Sequence, residues 1–384
     1  MLLPVYLSTI LAMFSYALVV VVLPFRFELL GLSIVDYGIA LAGFALGMLI
    51  TEGLWGAVAF RIGQPSRLLA LGIVVGAVLV VLGLSNTFPE IVVSLGIYGA
   101  LVVFPIPLAR WLALTAGGPG TGGRGTGRYV LSFGIGLAAG SALGPTLYST
   151  WGFLATVLVA LGVFLASVVL IASLPWPSID LPAPERRGSG GIRRIFTRHF
   201  AVCAALVSLA YLAYTLPTNF LQYYSVSIFH GTNAESGYVI GAYRATQMLA
   251  GFLLGTVVDR RGPARSAPFG FLLIAIGALA TGFATTYWEM TGATLVLAIG
   301  TGWLSAALLP LVLEPVPRPL QGTTVGVFGS FEDLGLLIGP IVLSGAYSTT
   351  GESSIFFVVG GIALAGTVFA LLARASGLFR AAPS

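Results

Sequence analysis

Apolar runs, each about as long as a bilayer is thick, alternate along this chain with short polar breaks. A membrane-crossing helix needs roughly 20 apolar residues, and twelve such spans are predicted. In the first half they fall near 3–24, 37–58, 68–87, 90–112, 129–149 and 152–174. In the second half they fall near 201–225, 236–258, 266–286, 289–312, 323–346 and 354–374. The first span lacks the basic n-region of a signal peptide and exceeds an h-region in length, so it reads as a true membrane helix. One long polar stretch interrupts the series: Pro177, Pro182 and Pro184, then Gly188-Ser189-Gly190-Gly191, with Arg186, Arg187, Arg193, Arg194 and Arg198. The pattern predicts an all-α membrane protein of twelve transmembrane helices, with a six-helix bundle over 1–175, a cytoplasmic linker over 176–199 and a second six-helix bundle over 200–384. Within the linker, Ile192-Arg193-Arg194-Ile195-Phe196 fits either a short amphipathic surface helix or a solvated connector.

The two halves repeat each other. Gly255-Thr256-Val257-Val258-Asp259-Arg260-Arg261-Gly262 reads as a short charged hairpin between two apolar runs. A second copy stands 199 residues earlier at Gly56-Ala57-Val58-Ala59-Phe60-Arg61-Ile62-Gly63, with both glycines and the arginine in register, and Gly38 and Gly237 share the same offset. Gly140-Ser141-Ala142-Leu143-Gly144-Pro145 and Gly335-Leu336-Leu337-Ile338-Gly339-Pro340 form another pair, offset by 195. Gly-x-x-x-Gly lets two helix backbones approach closely, and proline bends a helix. Duplication inside a membrane protein points to transport.

Charge orients the bundle and removes several function classes. Hydrophobic residues make up 57% of the chain and charged residues 8%, against about 25% charged in a soluble domain. With the N-terminus inside, 16 of the 18 arginines fall on inner loops or inner helix ends, leaving Arg26 outside and Arg244 within a span. Glu28, Asp36, Glu90, Glu235, Glu289 and Glu352 collect on the outer side. That distribution satisfies the positive-inside rule and predicts a multi-pass protein of the cytoplasmic membrane with both termini cytoplasmic. The arginines read as topology signals rather than a nucleic-acid patch. There is no lysine, so the glycine-rich stretch over 117–127 reads as a flexible connector rather than a phosphate cradle. Cys203 is the single cysteine, and His199 and His230 lie roughly 45 Å apart if the run between them is helical. No metal site, cofactor or catalytic constellation is expected, and the chain does not read as an enzyme.

Taken together, the twelve spans, the central inner loop and the Gly-x-x-x-Asp-Arg-x-Gly pattern at Gly255, Asp259, Arg260 and Gly262 resemble the major facilitator superfamily over essentially the whole chain. The first-half copy keeps Gly56, Arg61 and Gly63 and carries Phe60 where the family has aspartate. The resemblance implies the major facilitator fold and an inner-gate role for these loops. The stretch with Gly140, Gly144 and Pro145 partly resembles the family's antiporter motif, and Gly335, Gly339 and Pro340 form a similar bend motif. By the same resemblance, helices 1, 4, 7 and 10 line a cavity. The lining candidates are Thr9 and Tyr16, then a one-face stripe of Tyr211, Tyr214, Thr218 and Gln222, and finally Thr294, Thr301 and Ser305. Such residues suit an amphipathic or hydroxylated ligand, or serve as polar glue between helices.

Charges at bilayer depth cost roughly 2.5–3.5 kcal/mol or more each, and four need a reason: Glu52, Arg244, Glu332 and Asp333. All break the internal symmetry, aligning with Gly251, Ala45, Leu137 and Ala138. Arg244 lies about 12 Å from the outer end of its helix and Asp333 about 15 Å from the inner end of its own, similar levels in a core of about 30 Å. They read either as groups that couple an ion gradient to solute binding or as a fixed ion pair between spans 8 and 11. Glu52, nearer the inner surface, reads as a gate contact to span 11. The functional expectation is a secondary active transporter, working as a monomer, that moves a small solute by alternating access with proton or sodium coupling. Proton-coupled efflux of an amphipathic compound is favoured over uptake of a sugar or organic acid, and over a transport-inactive sensor or scaffold.

Overall fold

The computed structural model describes residues 2–62, 64–102, 104, 109, 112, 122–175 and 195–379. Gly63, the core of the glycine-rich connector (113–121) and linker residues 176–194 lie outside the described residues, as do the side chains of Glu52, Gly56 and Arg61. Helices follow one another as α1 (Leu2–Leu29), α2 (Ile34–Ile62), α3 (Pro65–Leu84), α4 (Phe88–Val102) and α5 (Gly122–Ala172). Then come α6 (Arg198–Thr215), a π-helical turn (Leu216–Phe220), α7 (Leu221–Ser227), α8 (Asn233–Arg261), α9 (Pro263–Gly282), α10 (Tyr287–Leu313), α11 (Arg318–Thr350) and α12 (Ser354–Ala375). Nine helices among the described residues are long and apolar enough to cross a membrane. One of them, Arg128–Ala172, has 45 residues, about 67 Å of helix against a bilayer core of about 30 Å. It bends at Gly152, where φ 81 and ψ 178 leave helical space, so the fifth and sixth predicted spans meet at a single residue. Of the remaining predicted spans, the fourth is represented by the shorter apolar helix α4, and the eighth by α8, along which Glu235, Arg244, Asp259, Arg260 and Arg261 are strung.

Contacts divide the chain into two compact units, Met1–Glu185 with Leu221–Ala245, and Arg186–Phe220 with Thr246–Ser384. In the first, α1 runs along α5, α2 along α4, and α3 against α5 and α4. Glycine makes the closest of these contacts possible. A Cβ added at Gly136 or Gly140 would strike the carbonyl oxygen of Ile10 or Phe14, and one at Gly144 the Val21 side chain. Spaced four apart, the three glycines present one bare face to α1. On α8, Gly237 and Gly241 lie against Ala142, and Gly237 also against Pro145. In the second unit, α9 packs on α10 and α12, and α6 on α11. There Gly335 faces Ser208 and Tyr211, while Gly339 faces Thr215, so both glycine–proline stretches do the same packing work in their own unit.

Four of the six acids predicted for the outer side turn out to be helix caps. At α2, Ser33 N–H donates to Asp36 at 2.9 Å, and Asp36 N–H donates back to Ser33 Oγ at 3.1 Å. At α8, Thr232 and Glu235 exchange the same pair of bonds at 2.7 and 3.2 Å. At α10, Thr286 and Glu289 form a complete capping box, and at α4 Glu90 accepts from the amides of Asn86 and Thr87. Such boxes satisfy amides that a helix start leaves unpaired. The pairs repeat at the 199-residue offset of the glycines, 33 with 232 and 87 with 286. The backbone amide of Thr232, then its hydroxyl, holds the Glu235 carboxyl below its ordinary value of 4.5.

Two predictions follow from packing and capping. Gly140→Val should lower the detergent thermal midpoint, at about 1–3 kcal/mol for an overpacked contact. Gly162→Ala, with nothing within 4 Å of the added carbon, should leave the midpoint unchanged or higher; equal loss in both would refute the packing account. A depressed carboxyl stabilises above its unfolded value and loses that contribution as pH falls through the folded value. The midpoint gap between wild type and Glu235→Ala should therefore be open near neutral pH and close below about 4.5.

Candidate functional site

The charged 255–262 stretch was expected to form a hairpin, and the structure corrects this. Helix α8 continues through Arg261, and the chain turns at Gly262 alone, with φ 83. A side chain there would be strained, and Pro263 pre-sets the first residue of α9. Asp259, Arg260 and Arg261 stand exposed at the helix end, and nothing lies within 4 Å of a Cβ built on Gly255. In the first half, α2 runs on to Ile62 and α3 begins at Pro65 behind Gln64.

The predicted stripe on span 7 is also corrected. Tyr211, Tyr214, Thr218 and Gln222 would share a face of a continuous α-helix, but the π turn over Leu216–Phe220 intervenes. Pro217 is the physical reason: without an N–H it cannot bond to the carbonyl of residue 213, which instead takes the amide of Leu216. The wider turn rotates everything beyond it. Tyr211 and Tyr214 remain half-buried neighbours in the second unit, ring centroids 5.7 Å apart. Gln222 belongs to the first unit, fully buried, its Nε2 directed at the Val21 carbonyl of α1 at 3.5 Å. The π turn also buries Asn219, which the hydropathy pattern hides; Pro217 inside an apolar span was the available signal.

Within the first unit the structure brings Tyr16 and Arg244 together. Arg244, on α8, is 7% exposed, and the Tyr16 hydroxyl lies within electrostatic reach of its guanidinium. The same hydroxyl also reaches those of Tyr37 and Tyr98. The Tyr16 ring lies 5.8 Å from Phe44, and Phe44 lies 5.8 Å from Tyr98. Four helices, α1, α2, α4 and α8, thus contribute to one cluster of a buried cation, two buried phenols and the partly buried Tyr16. Guanidinium planes stack on aromatic rings and donate in a fixed fork, so the cluster can hold a planar or anionic group. Tyr37 and Tyr98 escaped the sequence reading because an isolated tyrosine in an apolar span has no distinguishing pattern.

In the second unit Asp333 is buried and Glu332 half-buried on α11. They adjoin Phe331, whose carbonyl accepts the Ser208 hydroxyl at 2.8 Å. The hydroxyls predicted to line a cavity donate to backbone carbonyls three or four residues earlier: Thr9 to Val5, Thr218 to Tyr214, Thr294 to Met290, Thr301 to Ala298 and Ser305 to Thr301. Their oxygens keep accepting capacity. Ser305 is exposed, whereas Thr294 and Thr301 are buried.

Comparison with known proteins adds independent findings. The family model described as the Major Facilitator Superfamily matches residues 5–227 and again 199–378. Multidrug resistance protein MdtG of Serratia proteamaculans is 22% identical over 335 residues, covering 83% of this chain and 79% of that protein. The class G tetracycline resistance protein of Vibrio anguillarum is 26% identical over 239 residues, 61% of each chain. Among solved structures, the nucleoside transporter NupG superposes with a TM-score of 0.79 at 12% identity, covering 97% of this chain and 99% of that one, a likeness of fold.

The Tyr98 hydroxyl is fully buried and has no hydrogen-bond partner among the described residues. Leaving such a group unsatisfied costs about 1–3 kcal/mol. Tyr98→Phe, which keeps the ring on Phe44, should raise the thermal midpoint; a fall would show that the hydroxyl is bonded in the membrane.

Proposed function

The chain belongs to the major facilitator superfamily, and from that premise we propose that it exports a small amphipathic solute by alternating access, driven by a proton gradient. As a member of the family it is a multi-pass membrane protein and a secondary transporter of small molecules. Export is supported by the resistance proteins among its relatives. The carrying observation is Arg244, a cation kept in a buried aromatic cluster at a position whose counterpart in the other half is Ala45. Architecture repeated in both halves does not need it, and a charge held at that depth is costly.

In this reading the solute meets Tyr16 and Arg244 in the first unit. Asp333 and Glu332 are the carboxylates that take up and release the coupling proton, and Glu52 serves the inner gate with Arg61, Asp259 and Arg260. The bundles are 1–175 and 200–384, joined by a linker on the cytoplasmic side of the cytoplasmic membrane, and the working unit is a monomer.

Reconstituted vesicles test the proposal. Accumulation is scored over a panel of amphipathic compounds, sugars and organic acids, under an imposed pH gradient or an imposed sodium gradient. Proton-dependent movement of an amphipathic compound is expected. Arg244→Ala should cut it by about tenfold or more, the size of losing a buried charged contact of about 1.4 kcal/mol or greater. Unchanged transport in Arg244→Ala removes the role given to that residue, and sodium dependence or movement of sugars alone removes the proton-coupled export reading.

A further inference from the structure

His199, in the first turn of α6, is held in a way that the transport reading does not use. Its Nε2 lies 2.8 Å from the Leu311 carbonyl oxygen, and its Nδ1 lies 3.1 Å from the Leu378 carbonyl oxygen. Both partners are acceptors. A neutral imidazole carries one N–H and one lone pair, so it can satisfy only one of them, whereas an imidazolium donates to both.

The Leu311 carbonyl has a specific need for this donor. In a continuing α-helix it would accept from the amide of residue 315, and residue 315 is proline. The Glu314 amide goes to Pro310 and the Val316 amide to Leu313. Leu311 is fully buried, so water is a poor substitute. Leu378 is different. It follows the end of α12, where Gly377 turns the chain at φ 76 and the Leu378 amide returns to the Ala373 carbonyl at 3.1 Å. Leu378 is partly exposed, so solvent can replace the histidine at its carbonyl. Beyond it Phe379 is buried, its ring edge-on to the imidazole at 5.9 Å.

We propose that His199 is a proton-dependent clasp that, as the imidazolium, ties the segment after α12 to the start of α6 and the end of α10. Loss of one proton leaves a single N–H. Among the described residues the buried Leu311 carbonyl has no alternative donor and keeps it, so the Leu378 contact is the one that opens. Placing the cation at the C-terminal end of α10 also matches the helix dipole. Other titratable or charged groups around the ring are few. On α6, Cys203 Sγ lies 3.6 Å from Nε2, and Arg198 is exposed. Beyond α10, exposed Glu314 lies within electrostatic reach of Cys203. Arg374 on α12 is exposed. α11 meets this part of α6 through Phe331 on Phe200, with Glu332 and Asp333 next in sequence.

The chain has two histidines, so ¹⁵N-histidine NMR of the full chain in lipid nanodiscs resolves His199 beside His230. In a pH series both His199 nitrogens should carry protons where the segment after α12 is held, and Nδ1 should be bare where it is released. Amide hydrogen exchange over 376–379, corrected for its intrinsic pH dependence, should speed up over the same range. His199→Arg, charged throughout, should abolish that change in exchange, and His199→Gln should give fast exchange at every pH. A single neutral tautomer at all pH values, or an exchange profile unchanged in both variants, would overturn the clasp. The wild-type NMR decides the matter even if a variant fails to fold.

Discussion

Everything in this molecule depends on bringing helix backbones into contact where water cannot help. In a bilayer each peptide group must be bonded inside its own helix, and helices attract one another through packing rather than through a hydrophobic drive. Side chains set the distance between axes, so the nearest approaches occur where there is none. The α1–α5 line, with Gly136, Gly140 and Gly144 on one face, the α2–α4 line, with Gly47 and Gly99, and the α6–α11 line, with Gly335 and Gly339, are places where this is done. The bends follow the same logic. Gly152 reverses the chain without a loop, and Pro217 gives up one ladder bond, the Ala213 carbonyl taking the Leu216 amide instead.

Much of the architecture was legible in the sequence because lipid imposes a simple rule on composition. Span positions, the duplication and the packing role of the glycine–proline stretches could be read from apolar run length and residue spacing. The errors have physical causes. The 255–262 stretch looked like a loop because charges suggest solvent, yet charged residues at a helix end remain helical until Gly262 turns the chain. The stripe on span 7 assumed a constant 3.6-residue period, and a π turn changes the period locally. Arg244 and Tyr16 could be picked out singly, but their meeting with Tyr37 and Tyr98 depends on tertiary placement that no spacing encodes.

The repeat separates two kinds of residue. Positions that recur in both halves serve the backbone: glycines at contacts, and hydroxyl and carboxylate pairs that start helices. Positions that do not recur include Arg244, Asp333, Gln222 and the residues of the π turn, all of them polar or irregular and buried. Backbone geometry is the same problem in each half and keeps the same answer. Where no shared backbone problem fixes a residue, the two halves are free to diverge.

The caps change how much charge the helix starts that bear them present to their surroundings. Counted by sequence, six acids and one arginine suggest a rim that would draw cations in. Asp36, Glu90, Glu235 and Glu289 each accept backbone amides at the positive pole of a helix, and Glu352 accepts the Tyr347 hydroxyl at 2.8 Å. Much of that negative potential is cancelled within a few ångströms of its source. Each of these carboxylates therefore reaches less far into its surroundings than a free one would, and a count of acids along the chain overstates the charge they project.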